Sequence, residues 1–128
     1  STTEVAEALS NYPGIELPNV YGVSLPGTEG RAGMAAINLT PGSTLHGKDL
    51  ATYVDKALPA YARPVFVRVQ PAAETTGTLK FRKVDLVEQG IEVDEIDDPV
   101  YVRLPGSDAY TLLTSEMVDD IEDGKVKL

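Results

Sequence analysis

Cysteine is absent from this sequence and histidine occurs once. Without cysteine there is no disulfide framework, no thiol nucleophile and no cysteine-ligated metal site, a pattern that fits a reducing compartment such as the cytoplasm. One histidine, His46, cannot build an ordinary zinc site, so no metal ligands are assigned. Positive charge is scarce: 11 Lys and Arg stand against 20 Asp and Glu, a net charge of −9. A broad nucleic-acid-binding face is thereby disfavoured, because the phosphate backbone would be repelled. No apolar run approaches the roughly 20 residues a membrane span needs, and the first residues do not read as a signal peptide.

What is present is an ordinary globular composition, 128 residues with 42% apolar content, enough for one domain with a modest core. Ser1-Thr2-Thr3-Glu4 has the form of a capping box, in which a hydroxyl and a carboxylate three residues on satisfy each other's backbone donors. A chain that opens without methionine on a helix cap is expected to be a domain excised from a longer protein.

The periodicity predicts a first helix over about Thr2–Leu9, with Val5, Ala6 and Leu9 as its apolar stripe and Asn11, Pro13 and Gly14 ending it. Val20–Leu25 and Gly33–Leu39 read as an antiparallel hairpin about Pro26-Gly27-Thr28-Glu29-Gly30. The small residues Gly33, Ala35 and Ala36 suggest a strand covered closely on both sides. Lys48–Leu58 is the clearest helix, since Leu50, Tyr53, Val54, Ala57 and Leu58 share one face and Pro59 stops it. Val65, Val67 and Val69 alternate with Phe66, Arg68 and Gln70 as in a half-buried strand. Val84, Leu86 and Val87 predict a short helix ended by Gly90, and Glu92–Asp98 an acidic, solvated linker without the spacing of a calcium loop. A small β-ribbon around Pro105-Gly106 and a last helix, capped by Thr114 or Ser115 and closed by Gly124, complete the chain. The expected class is α+β: a small antiparallel or mixed sheet with helices packed on it, plus a C-terminal β-ribbon and helix.

Candidate chemistry is thin. A loop histidine before a helix, such as His46, is usually solvated. No G-x-S-x-G elbow is present, and Ser24 and Ser43 lie in strand or turn contexts. The densest positive charge is Thr75-Thr76-Gly77-Thr78-Leu79-Lys80-Phe81-Arg82-Lys83, a glycine among hydroxyls followed by three cations. Such a loop can hold a phosphate or carboxylate, but it lacks the two glycines and the Lys-Ser/Thr pair of a P-loop. By itself it reads more readily as a turn with solvated lysines.

In context that loop says more. Leu58-Pro59-Ala60-Tyr61-Ala62-Arg63-Pro64-Val65-Phe66-Val67-Arg68, then Thr76-Gly77-Thr78-Leu79-Lys80 and Lys83-Val84-Asp85-Leu86, resemble the C-terminal domain of adenylate-forming enzymes, in the branch of fatty acid transport proteins and very-long-chain acyl-CoA synthetases. Gly30-Arg31-Ala32-Gly33-Met34-Ala35, Asp98-Pro99-Val100-Tyr101 and Ile121-Glu122-Asp123-Gly124-Lys125-Val126-Lys127-Leu128 extend the resemblance over essentially the whole chain. The resemblance implies a lid that swings over a large N-terminal domain holding ATP, Mg2+ and a fatty acid. Acyl-AMP and pyrophosphate form first; coenzyme A then takes the acyl group. It also implies a lid lysine that stabilises charge in the first step. Much of the superfamily carries that lysine directly after a glycine. Here Thr78 follows Gly77, and the lysine comes two residues later, as in the transport-protein branch. In an extended segment side chains two apart share a face, so Lys80 takes the role, Lys83 is its competitor, and Gly77 and Thr78 belong to the nucleotide loop. The domain alone is expected to bind no cofactor and to be inactive, and its parent is expected to be cytoplasmic with membrane association open. The other readings are an anion-binding interaction module and the lid of another adenylate-forming ligase.

Overall fold

The computed structural model describes residues 2–71 and 82–128. The proposed cap at Ser1 and the loop residues Gly77, Thr78 and Lys80 lie outside them. The helices are α1 (Thr2–Ser10), α2 (Gly47–Ala57), α3 (Lys83–Gln89) and α4 (Ser115–Glu122). The strands are β1 (Ile15–Ser24), β2 (Arg31–Leu39), β3 (Phe66–Gln70), β4 (Val100–Val102) and β5 (Thr111–Leu112), and a single 3-10 turn spans Ala60–Ala62. The strands form one mixed sheet in the order β1-β2-β3-β4-β5. Among the described residues only the β2–β3 pair is parallel, with Met34 opposite Phe66 and Ala36 opposite Arg68; the other three pairs are antiparallel. A parallel pair needs a crossover, and α2 supplies it.

Helices cover both faces. Val5 and Leu9 of α1 and Leu50, Ala51 and Val54 of α2 pack on Val20, Ala35, Ile37 and Val67. Leu86 of α3, with Val118 and Ile121 of α4, packs on Tyr21, Val23, Met34, Ala36 and Phe66. Successive strand residues point to opposite faces, so the run Met34-Ala35-Ala36-Ile37 is fully buried. The small alanines let helices approach from both sides, as the sequence predicted for this strand.

Three local expectations are revised. β1 begins at Ile15 rather than Val20. Its first residues were disguised by Pro18 and by a register shift between Glu16 and Asn19, beside Leu17 in a positive-φ conformation. Proline is tolerated there because β1 is an edge strand. β3 is buried on both faces instead of half-buried, with Phe66 and Arg68 on the α3–α4 side. On α2 the buried position is Ala51, and Ala57 is exposed. The helix ends at Ala57 with Leu58 extended, as expected for a residue that precedes proline.

The last elements follow their local signals. The Thr114 hydroxyl accepts from the Met117 N–H at 3.2 Å, capping α4. Gly90 and Gly124 take positive φ after their helices. The β4–β5 ribbon is the edge of the main sheet, because β4 also pairs with β3.

Candidate functional site

Residues 72–81, which carry Gly77, Thr78 and Lys80, are flanked by two described anchors. One is the end of β3, where Asn38 of β2 donates a side-chain hydrogen bond to the Pro71 carbonyl. The other is the start of α3, where Arg82 occupies the cap position and Lys83 is the first helical residue, both exposed. Arg82 reaches Asp85 at 3.5 Å with its side chain 79% exposed, a pair too solvated to fix geometry. Lys83 thus belongs to a helix start, as expected of the competitor to Lys80.

Just behind these anchors is the one buried charged residue among those described, Arg68, at 3% exposure. Its Nε donates to Asp98 Oδ2 at 2.9 Å, and its Nη1 donates to Gln89 Oε1 at the C-terminal end of α3. A buried guanidinium is tolerated only when paired and hydrogen-bonded, and here α3 and the segment entering β4 both contribute to that pairing. The Tyr21 hydroxyl, on the same face, is buried with no hydrogen-bond partner among the described residues. Burial pushes this phenol up to about 12, with the Arg68 guanidinium opposing the rise.

Sequence reasoning missed this node. It placed Arg68 on a solvated face and Asp98 in a solvated linker, whereas Ile91 and Ile96 are buried and Asp94 accepts from Ser115. One signal was available: Phe66 shares a strand face with Arg68, and a large aromatic is poorly placed on a wet face.

A second node joins α2 to the β4–β5 loop across the other face. Both Arg103 Nη atoms donate to Asp55, the Nη2 contact at 2.8 Å, and Arg103 Nε donates to the Ser107 carbonyl. Arg63 donates to the Asp55 and Leu58 carbonyls at 3.0 Å. The Arg103 hydrogen bonds hold the Asp55 carboxyl below its usual range, outweighing the opposing effect of desolvation. Nearby, burial pushes the Tyr110 phenol up, and its hydroxyl donates to the Pro64 carbonyl at 2.6 Å. Gly47 meets the same seam: an added Cβ would come within 1.9 Å of the Tyr110 carbonyl oxygen.

His46 stands at the α2 cap position without a capping hydrogen bond. With Gly47, Lys48, Asp49 and Thr52 it lines a shallow, open depression. Asp49 accepts from the Tyr12 hydroxyl, whose pKa rises to about 12 through burial and then this bond. The Tyr12 and Tyr53 rings pack 5.1 Å apart, and Tyr53 donates to the Ala8 carbonyl at 2.7 Å, so these groups tie α1 to α2. Among the described residues no group of three His, Asp or Glu is placed to hold a metal ion, and no helix is long and apolar enough to cross a membrane.

The described residues are therefore a packed α+β scaffold that flanks residues 72–81 on both sides, and comparison with known proteins gives that scaffold a family. Residues 4–80 match the AMP-binding enzyme C-terminal domain. The chain belongs to this family. The match ends at Lys80, and α3, β4, β5 and α4 lie beyond it. As a member of the family, the chain is 43% identical over all 128 residues to long-chain fatty acid transport protein 6 of Mus musculus, covering 21% of that protein. It is 42% identical over 128 residues to long-chain fatty acid transport protein 5 of Homo sapiens, covering 100% of this chain and 19% of that one. It is 42% identical over 125 residues to the medium/long-chain-fatty-acid–CoA ligase FadD6 of Mycobacterium tuberculosis, covering 98% and 21%. The chain thus spans about a fifth of the length of these relatives. An ATP-bound RpMatB-BxBclM chimera of solved structure has the same fold, with TM-score 0.53, 21% identity, and coverage of 69% of this chain and 17% of that one.

Proposed function

We propose that this domain is the lid of a long- or very-long-chain fatty acyl-CoA synthetase. The parent converts ATP, a fatty acid and coenzyme A into acyl-CoA, AMP and pyrophosphate. The observation that carries this reading is the similarity, along the whole chain, to fatty acid transport proteins and to a mycobacterial fatty-acid–CoA ligase.

In the first half-reaction the fatty acid carboxylate attacks the α-phosphorus of ATP, and the bond to pyrophosphate breaks. Negative charge builds on the phosphoryl oxygens as it does so. Lys80 offers an ammonium to that charge, and Gly77 and Thr78 allow the loop's backbone to approach the nucleotide. A cation presented in a closed site contributes most when it meets charge present only in the transition state. In the second half-reaction the coenzyme A thiol attacks the acyl carbon, and AMP leaves. Lys80 has no part in that step, so the lid rotates between the two.

ATP, Mg2+ and the acyl chain are assigned to an N-terminal adenylation domain of the same polypeptide, a reading supported by membership of the AMP-binding enzyme C-terminal domain family and by the chain's coverage of about a fifth of its relatives. The parent is assigned to the cytoplasm, with its membrane association left open. Alone, the domain is inactive.

Product analysis tests the reading. The full-length protein, given ATP, a fatty acid series and coenzyme A, is expected to release acyl-CoA and AMP, and the isolated 128 residues neither. Acyl transfer to a carrier protein in place of coenzyme A would identify a different adenylate-forming ligase. Acyl-CoA formation by the isolated domain would overturn the lid assignment.

A further inference from the structure

Tyr61 is the most exposed large apolar side chain among the described residues, at 87%. A single exposed ring on a loose loop is ordinary. This one stands on a turn that is held at every joint. The Ala62 N–H donates to the Pro59 carbonyl at 2.9 Å, closing the 3-10 turn, and the Pro59 ring fixes its own φ at −66°. Leu58 before the turn and Pro64 after it are buried. Arg63 donates to the Leu58 and Asp55 carbonyls at 3.0 Å, which ties the turn back to α2. The Tyr110 hydroxyl donates to the Pro64 carbonyl at 2.6 Å and holds the other foot. The surroundings of the ring are apolar as well. No residue from Ala57 to Ala62 is charged, in a chain of net charge −9, and Ala57, Pro59 and Ala60 are exposed beside Tyr61.

A rigid aromatic supplies contact area at little entropic cost, and tyrosine is enriched among residues that dominate binding. A tyrosine covers about 150–250 Å², well short of the roughly 800 Å² per partner in a stable complex of separate molecules. Such a patch suits a surface already tethered to it, because a linked domain has an effective concentration on the order of millimolar. The chain spans about a fifth of the length of its relatives, so in a polypeptide built as they are the tethered surface is the remainder of that polypeptide. We propose that Tyr61 is a docking anchor: it seats in an apolar recess of the adenylation domain of the same chain in one of the lid's positions. This rests on the lid reading above. An uncharged contact of this size can be made and broken in every catalytic cycle.

The test uses the purified full-length protein. With a benzophenone-bearing phenylalanine in place of Tyr61, irradiation is expected to cross-link position 61 to a peptide of the adenylation domain of the same chain, mapped by mass spectrometry. Cross-links to a second copy, or none, would overturn the proposal. Tyr61→Ala is expected to lower acyl-CoA turnover roughly 10-fold without moving the thermal unfolding midpoint, because so exposed a ring adds little to the domain's own packing. Tyr61→Phe keeps the ring and is expected to keep most of the turnover. Leu112→Ala, at another exposed apolar position (53%) on β5, is expected to leave turnover within about twofold. Wild-type turnover in Tyr61→Ala, or a loss that comes with a lowered midpoint, would overturn the anchor, as would an equal loss in Tyr61→Phe. The lid reading fails separately, and takes the anchor with it, if the unmodified full-length protein forms no acyl-AMP.

Discussion

The two faces of the sheet each carry an arginine–carboxylate node, and the two nodes do different work. Arg68–Asp98 is dry, with side chains 3% and 12% exposed. Arg103–Asp55 is wetter, at 19% and 38%, although both Nη atoms of Arg103 donate to the carboxylate. Pair strength depends less on the number of bonds than on what remains when one partner is lost. At the wet node water replaces the partner. At the dry node the guanidinium would keep its Gln89 hydrogen bond but lose its carboxylate inside the protein. The dry node adjoins the anchors of the Lys80 loop; the wet one closes a seam between α2 and β4.

The sharpest way to break this contrast is Asp98→Ala. It is expected to cost about 3 kcal/mol of unfolding free energy, read from denaturant midpoints at constant slope. Replacing both partners, Arg68→Met with Asp98→Leu, is expected to recover much of that loss, because no buried charge remains without its carboxylate. A double variant no more stable than Asp98→Ala would mean that the node is a packing feature and not an electrostatic one.

Next in size is Gly47→Ala, on the wetter side. Its Cβ would collide with the Tyr110 backbone, and a cost of about 2 kcal/mol is expected from overpacking. That seam is set by backbone approach more than by charge, so Gly47→Ala should outweigh Asp55→Asn. The latter is expected to cost no more than about 1 kcal/mol at neutral pH, and less in high salt. Asp55 has a lowered folded-state pKa. Its contribution is therefore present above the ordinary carboxylate value of 3.8 and is lost as pH falls through the folded value. Asp55→Asn should flatten the acid limb of the stability profile below about pH 4.

The smallest effect is expected at Tyr21→Phe. Its hydroxyl is buried without a partner among the described residues, so removal is expected to change neutral-pH stability by less than about 0.5 kcal/mol, or to raise it. The raised phenol value means that stability is full below pH 10 and declines as pH climbs from 10.0 towards about 12, where the folded form ionises. Tyr21→Phe should flatten that alkaline limb. A large neutral-pH loss would show that the hydroxyl has a partner.

How much of this could be read in the sequence follows from the range of each signal. Local chemistry was legible: the α2 stripe, the Gly90 and Gly124 stops, the Thr114 cap and the hairpin about Gly27 all depend on residues close in sequence. Non-local burial was not. β3 alternates in sequence as a half-buried strand does, and only the packing of α3 on the Phe66–Arg68 side shows that its second face is covered as well. β1 hid behind Pro18 because an edge strand accepts what a central one rejects. The candidate loop was legible as cations around Gly77 and Thr78, but its role came from resemblance to relatives. Arg68, Gln89 and Asp98, far apart in sequence, carry no local mark of meeting.

The central claim is that Lys80 serves one half-reaction and not the other. Lys80→Ala in the full-length protein, followed by ATP–pyrophosphate exchange and by thioester formation from supplied acyl-AMP, tests it most directly. Adenylation is expected to fall roughly 100-fold or more, corresponding to about 3 kcal/mol of transition-state stabilisation, while thioester formation changes little. Equal losses in the two assays would contradict the account.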